Sequence, residues 1–236
     1  MKRFYKLVSI SGNQKGGWQI LLDEKPVRTP AGAVLAVPSQ PLAGAIMAEW
    51  ARQKSQIDPP SMPLTQILVT AIDRIPAHRA EMESAALAYL DTDLLCYRAE
   101  RPAGLVAHQA ALWDPPLAWF EKKYSVALET TAGLKALEQP QEAHEGARAA
   151  IAALDDYTFS VVQLAVSLTG SLVLALAFLD GAALADDLYN AVLVEENWKA
   201  AIYKEDIYGA APHEERKNET LMRDLVAAKE FLQALR

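Results

Sequence analysis

Apolar positions near the start of the chain follow the pattern of β-strands. Residues 4–10 are rich in aromatic and aliphatic side chains, and residues 18–22 repeat this character after the glycine-containing stretch 12–17. Glycine and asparagine in that stretch supply the turn chemistry of a β-hairpin. Short apolar runs at 27–29 and 33–37 predict two further strands. The first forty residues are therefore expected to form a small sheet.

After the predicted sheet, apolar residues recur at helical spacing. Ser39 is a candidate N-cap, and Leu42, Ile46 and Trp50 follow at intervals of about one turn. A lone strand candidate at residues 126–130 could return to the N-terminal sheet. The predicted helices lie at 64–75, 81–90, 105–113, 116–124, 141–154, 157–179, 182–204 and 214–235, with a short extended piece at 94–97.

These patterns predict an α+β fold. We expect a small strand-rich α/β N-terminal domain at residues 1–75 and a larger, mainly α-helical C-terminal domain at residues 76–236. Pro76 is expected to end one helix, and Pro115 and Pro116 to separate two others. Proline ends helices because it lacks a backbone donor and clashes with the preceding turn.

The most apolar stretch, residues 161–179, is predicted to be a central buried helix. It contains several polar residues and is flanked by aspartates without nearby lysine or arginine, which is the wrong anchoring for a membrane span. Ser167, Ser171 and Ala175 follow one another at four-residue spacing. They predict a narrow stripe that lets a second helix approach closely.

Composition and charge narrow the classes of function. The chain is 51% hydrophobic and 22% charged, as in ordinary globular proteins, and its net charge is −7. An acidic chain is a poor partner for nucleic acid or for an anionic membrane surface. The single cysteine, Cys96, cannot form an internal disulfide and is predicted to be a buried, inert thiol. No targeting segment is visible, and the use of a single cysteine indicates a reducing compartment.

Asp91 and Asp93 are the strongest candidates for metal or acid–base chemistry. Two carboxylates two residues apart could hold a hard cation, whereas the simpler interpretation is that they end and cap the preceding helix. The four histidines are scattered and none is paired at metal-ligand spacing. A metal-dependent enzyme using these two aspartates, together with Glu195, is therefore kept as the alternative function.

Glu195 lies at an unusual position in the predicted helix 182–204. At 100° per residue it falls in the middle of the apolar face, with Glu196 on its flank. Because an unpaired buried carboxylate costs several kcal/mol, either an internal ion pair neutralises it or this face is exposed to bind another protein. The candidate arginines are Arg74, Arg79, Arg98 and Arg101.

Several motifs, in order along most of the chain, resemble the F1-ATPase assembly chaperone family whose client is the α subunit. They are GWQILLD at 17–23, KPVRTP at 25–30, AEW at 48–50, SMPLT at 61–65, YLDTDLLCYRA at 89–99, WDP at 113–115, TGSL at 169–172, and Glu195-Glu196 before Trp198.

This resemblance implies a non-enzymatic chaperone. Such proteins bind the newly made F1 α subunit and screen the face that the β subunit later covers, without a nucleotide, metal or other cofactor. The family's acidic position in the late helix corresponds to Glu195 or Glu196, and Trp198 is the expected aromatic neighbour. Eukaryotic members work in the mitochondrial matrix, whereas this chain shows no transit peptide and resembles a bacterial relative that is expected in the cytoplasm. A monomer is expected, since a transient chaperone needs no symmetric partner. A scaffold for some other client is a further alternative.

Overall fold

The computed structural model describes residues 1–13, 17–203 and 212–236. The strands form an antiparallel sheet near the start of the chain, in the order β1-β2-β3, and β4 pairs with β2. The strands are β1 (Val8–Asn13), β2 (Gly17–Leu22), β3 (Lys25–Pro26) and β4 (Ala36–Val37). The small N-terminal sheet predicted from the sequence is therefore present.

The predicted β-hairpin is confirmed. β1 pairs with β2 along its whole length, from Val8 opposite Leu22 onward. The next turn, from β2 to β3, uses Asp23 and Glu24 with φ angles of 47° and 68°. Two-residue turns need such positive φ values to match the twist of the strands that they join.

The first strand begins at Val8, so the predicted start at residue 4 is wrong. The backbone N–H groups of Lys6 and Leu7 donate to the carboxylate of Asp23, at 3.0 and 2.8 Å. In a β-strand these N–H groups would bond to a neighbouring strand, but here they bond to the Asp23 side chain. The segment before Val8 therefore lies outside the sheet.

The remainder of the described chain is mainly helical. The helices are α1 (Gln40–Ala51), α2 (Pro63–Val69), α3 (Ile75–Ala88), α4 (Ala103–Tyr124), α5 (Gln141–Ala152), α6 (Asp156–Thr169), α7 (Leu172–Leu179), α8 (Ala185–Val192), α9 (Val194–Tyr203) and α10 (Pro212–Leu235). Short 3-10 turns lie at Pro59–Ser61 and Leu94–Cys96. Ser39 caps α1 as predicted, because its hydroxyl accepts from the N–H of Leu42 at 3.2 Å.

Pro76 does not end a helix, contrary to the prediction. A π-helical turn, Thr70–Arg74, connects α2 to α3, and the N–H of Ile75 bonds to the carbonyl of Thr70 five residues earlier. Proline has no N–H group, so at this position a regular α-helix would lack one hydrogen bond. The wider π-helical turn changes the hydrogen-bonding pattern there, and the helix continues past Pro76. Helical geometry is interrupted instead at His78.

The break predicted at Pro115 and Pro116 is also wrong. Both prolines lie inside α4, which continues for 22 residues. Buried side chains on both sides of the prolines, including Trp113 at 1% exposure and Phe120 at 0%, pack against the rest of the fold. Burial of these aromatic residues, about 1.5–3 kcal/mol each, together with the other buried side chains of α4, offsets the penalty of about 3 kcal/mol that each helical proline carries.

The predicted helix 157–179 is two helices, α6 and α7. Gly170 adopts a left-handed conformation with φ of 66°, and Ser171 caps α7 by accepting from the N–H of Leu174 at 3.0 Å. The predicted stripe of small residues is wrong, because Ser167 and Ala175 lie on different helices. Within the described residues, no helix has the length and hydropathy that crossing a membrane requires.

The predicted helix 182–204 is likewise interrupted. The chain leaves regular helical geometry at Leu193, a fully buried residue between α8 and α9. The rotation of 100° per residue counted from residue 184 therefore does not give the face of α9 on which Glu195 lies. Lys204, the last residue of the predicted helix, lies outside the described residues.

Residues 126–130 do not form a strand. Thr131 makes a single parallel bridge to Tyr97, in which its N–H donates to the carbonyl of Cys96 and its carbonyl accepts from Arg98, both at 2.8 Å. The lone strand predicted to join the N-terminal sheet is therefore wrong. The extended piece predicted at 94–97 is a 3-10 turn, which the side chain of Asp93 caps.

Two compact units make up the described chain. The first comprises Met1–Arg79, Leu154–Val161 and Val226–Arg236, and the second comprises Ala80–Ala153 and Val162–Leu225. The first unit has a core of Ile20, Leu35, Leu42, Ile46 and Leu68, and the second of Leu90, Leu95, Trp113 and Phe120. The domain boundary expected between residues 75 and 76 stays a prediction.

Candidate functional site

The helix that carries the predicted partner-binding residues, α9, packs against α4, and one glycine permits the contact. A Cβ atom added at Gly104 would lie 2.2 Å from the Cη2 atom of Trp198. His108, one turn further along α4, meets the same indole edge-on, with 5.0 Å between the ring centroids. Trp198 is thereby partly buried, and Gly104 sets how closely the two helices approach.

Trp113 anchors the preceding helix to α4. Its fully buried indole donates from Nε1 to the carbonyl of Ala191, near the end of α8, at 2.9 Å. A buried indole N–H needs such an acceptor, because an unmade hydrogen bond there costs about 1–3 kcal/mol. Both helices that flank Leu193 are therefore held by side chains of α4.

Glu195 is exposed, and its carboxylate has a neutral partner. Its Oε1 atom accepts from Nε2 of Gln109 at 2.9 Å, and the amide oxygen of Gln109 accepts from the N–H of Ala99 at 2.8 Å. Gln109 itself is 1% exposed. Glu195 makes no ion pair with any described residue, so the internal ion pair with an arginine is wrong. The carboxylate is held in place without being neutralised.

Glu196 differs from Glu195 in its partner. Its Oε1 atom lies 2.9 Å from the Nζ atom of Lys217 on α10. Both side chains of this ion pair are exposed, at 45% for Glu196 and 63% for Lys217. Exposed ion pairs of this kind contribute about 0–1 kcal/mol. Lys217 therefore offsets the charge of Glu196 but holds it only weakly.

One face of α9 combines acidic, aromatic and aliphatic groups. Glu195, Trp198 and Ile202 follow one another at three- and four-residue spacing, so they lie on the same side of the helix. Ile202 is 57% exposed and Trp198 is partly exposed. We call these three residues with Glu196 the α9 surface. It can form apolar contacts and salt bridges with another molecule, and a role in partner binding stays a prediction.

Sequence reasoning missed the α4 residues that support this surface. Gly104, His108 and Gln109 carry no recognisable motif, and they contact residues 86 or more positions away along the chain. Only the glycine gave a local signal, since glycine inside a helix is unfavourable unless a close contact requires it.

Asp91 and Asp93 are engaged by different partners. Asp91 accepts from the N–H of Gln139 at 2.9 Å and lies 3.1 Å from Nε2 of His144. Asp93 accepts from the N–H groups of Leu95 and Val173, at 3.2 and 3.1 Å. Among the described residues, no group of three or more His, Cys, Asp or Glu side chains could hold a metal ion. This geometry favours the interpretation of the aspartates as structural acceptors.

Asp93 and Cys96 are both fully buried. Asp93 is fully buried, and burial raises the pKa of its carboxyl group to about 6 despite hydrogen bonds that favour the charged form. Burial, together with the charge of Asp93, raises the pKa of the Cys96 thiol to about 12. The predicted buried thiol is confirmed, and it is protonated at neutral pH.

Known structures share this fold over the whole chain. The crystal structure of Atp12 from Paracoccus denitrificans is similar over 100% of this chain and 98% of that one, with a TM-score of 0.87 and 31% identity. The Atu1473 protein of Agrobacterium tumefaciens is similar over 100% of this chain and 86% of its own, with a TM-score of 0.89 and 33% identity. The fold is therefore that of the Atp12 structures, and the predicted α+β class is confirmed.

The sequence comparisons agree with the structural ones. The mitochondrial protein atp12 of Schizosaccharomyces pombe is 30% identical over 192 residues, which cover 76% of this chain and 66% of that protein. The family described as ATP12 chaperone protein matches residues 2–121. The chain belongs to the ATP12 chaperone family. The resemblance to the F1-ATPase assembly chaperones is thus confirmed.

Proposed function

We propose that this chain is a non-enzymatic chaperone that binds the unassembled F1 α subunit and covers the surface that the β subunit later occupies. Membership of the ATP12 chaperone family supports a role in ATP synthase assembly. In this proposal the chain acts as a cytoplasmic monomer and needs no nucleotide, metal or other cofactor.

The observation that carries the proposal is the α9 surface. Glu195 and Glu196 are both exposed, and Trp198 and Ile202 offer apolar area beside them. An orphan subunit exposes a large apolar patch that favours aggregation. Contact with Trp198 and Ile202 would contribute affinity, and the two carboxylates would select and orient a client surface that carries basic groups.

The charge distribution of the chain also supports binding of a basic client surface. Residues 111–236 carry a net charge of −9, whereas residues 1–110 carry +2. A negative field over the helical part of the chain steers a basic client surface towards it and raises the association rate. Release to the β subunit requires moderate affinity, on the order of a micromolar dissociation constant, so that mass action can displace the chaperone.

The experiment is co-expression of this chain with α and β subunits from the same organism, followed by affinity capture on the tagged chaperone. We expect capture of isolated α subunit and progressive loss of α from the chaperone as β is added. Absence of α capture would refute the proposal. Capture that is unaffected by β would refute the shared-surface part of it.

Charge reversal then tests the α9 surface. We expect Glu195→Lys to weaken α capture about tenfold or more, because reversal replaces an attraction with a repulsion. Glu196→Lys should act less strongly, since Lys217 already offsets that charge. Glu121→Lys, at an exposed position of α4, is the matched control. Equal capture by all three variants would remove Glu195 and Glu196 from the binding surface, and a lower melting temperature would assign them to the fold.

A further inference from the structure

A continuous groove opens within Met1–Arg79, in the first unit. Two adjoining cavities of about 450 and 540 Å³ have Val27, Arg28 and Trp50 in common among their lining residues. Because these residues line both cavities, the cavities form one groove. We call it the N-terminal groove, and its main lining residues are Phe4, Val27, Arg28, Trp50, Ile57 and Met62.

The groove is bordered by exposed apolar side chains. Met1 and Phe4 line it and are 75% and 66% exposed. Exposed apolar side chains that are grouped around a concave surface are typical of a binding site. The groove therefore presents apolar area that the described residues leave uncovered.

The main chain beside the groove has free hydrogen-bonding groups. In the hairpin 27–35, the N–H of Leu35 donates to Val27 and the N–H of Thr29 donates to Ala33, both at 2.8 Å. Arg28 lies between these bonds, and its own N–H and C=O have no partner among the described residues. An extended polypeptide can add to such an edge through main-chain hydrogen bonds. Its alternate side chains, about 7 Å apart, would enter the two cavities.

The rim of the groove is positively charged. Lys25 and Arg28 are exposed there, and neither forms an ion pair with a described residue; the Nη1 atom of Arg28 donates to the carbonyl of Gly32 at 2.7 Å. Asp23 also lines the groove and keeps its charge, because its partners are the neutral N–H groups of Lys6 and Leu7. The two cations and this one carboxylate leave the lining with a net positive charge. The rim therefore favours an acidic occupant. A second copy of this chain would bring like charges together at the same edge.

We propose that the N-terminal groove binds an extended segment of a partner protein in which apolar side chains alternate with Asp or Glu. The main chain of the segment pairs with Arg28, its apolar side chains fill the two cavities, and its carboxylates face Lys25 and Arg28. This surface shares no residue with the α9 surface, and the inference does not rest on the proposed function.

A displayed library of random twelve-residue peptides tests the inference. The library is selected on the full wild-type chain and counter-selected on a variant that combines Phe4→Ser with Lys25→Glu. We expect enrichment of peptides in which apolar and acidic residues alternate. Enrichment of basic peptides, or failure to enrich any pattern over the counter-selected variant, would overturn the inference.

The most enriched peptide is then synthesised with a fluorescent label, and its binding is followed by anisotropy. We expect Lys25→Glu to weaken binding about tenfold, and N-methylation of the peptide backbone to abolish it. Leu134→Ser and Lys135→Glu, at exposed positions of the second unit, are the matched controls and should leave the affinity unchanged.

Two further outcomes would overturn the inference. Equal affinity of the N-methylated peptide would show that main-chain pairing is not used. A dimer of the wild-type chain in light scattering that dissociates on Phe4→Ser would show that a second copy occupies the groove. Because these measurements use no F1 subunit, a negative result here leaves the α-subunit proposal to its own test.

Discussion

The buried carboxyl group of Asp93 makes the stability of this chain depend on pH in a direction opposite to that of most aspartates. Asp93 is fully buried and accepts hydrogen bonds from the backbone of Leu95 and Val173, yet burial raises its pKa to about 6. In the unfolded chain the same group has its ordinary pKa, near 3.8. Between these two values the folded state binds more protons than the unfolded state.

The sign and size of the effect follow from this difference. The free energy of unfolding falls as pH rises wherever the folded state holds more protons. The Asp93 contribution is therefore fully present below pH 3.8 and is lost as pH rises through about 6. A difference of about 2 pKa units corresponds to about 3 kcal/mol. Asp93→Asn removes the titrating group and keeps nearly the same shape.

Urea unfolding of wild type and Asp93→Asn, followed by circular dichroism from pH 4 to 7.5, measures this contribution. We expect the stability of wild type minus that of the variant to fall by about 2.5 kcal/mol across this range, because contributions from other groups cancel in the difference. Asp58→Asn controls for the loss of one surface carboxylate. A wild-type-minus-variant difference that stays constant or rises with pH would refute the reasoning.

Three further predictions concern positions where the structure fixes one residue type. Gly104→Ala should destabilise the chain by about 1–3 kcal/mol in urea unfolding, because the added Cβ would clash with Trp198. The control is Gly44→Ala, in open space within α1, which should be neutral or stabilising. Glu49→Gln should lower the free energy of unfolding at pH 7 by about 1–3 kcal/mol. The buried carboxylate accepts three hydrogen bonds at the start of α2, whereas an amide group can accept only through its oxygen. Gly170→Ala should lower the melting temperature by a few degrees, reflecting about 1–2 kcal/mol of left-handed backbone strain, whereas equal stability would contradict the role given to the φ of 66°.

Local signals in the sequence located the elements that local chemistry determines. The β1–β2 hairpin follows from alternating apolar residues around a glycine-rich turn, and the start of α1 follows from the side chain of Ser39. The buried, inert state of Cys96 follows from its apolar neighbours. For the hairpin and for the start of α1, the interactions that decide the outcome lie within a few residues or within one hairpin.

The predicted helix boundaries at proline and at glycine are wrong for different reasons. Pro115 and Pro116 remain inside α4 because buried aromatic residues on both sides hold the helix, and no local pattern records that burial. The predicted helix 157–179 runs through Gly170, although the left-handed φ of this residue ends α6. The Gly-Ser pair at 170–171 is in fact an ordinary C-cap followed by an N-cap, so this signal was present in the sequence.

The α9 surface shows how a prediction can keep its premise although its helical phase is wrong. Counting through an unbroken helix places Glu195 on the apolar face, and the break at Leu193 invalidates that count. Glu195 nevertheless lies on the same side of α9 as Trp198 and Ile202. A carboxylate beside these apolar residues therefore still needs an explanation. Gln109 fixes this carboxylate without neutralising it, whereas Lys217 offsets the charge of Glu196. Of the two acids, Glu195 therefore presents the fuller negative charge, at a defined position, to any basic group that a client brings.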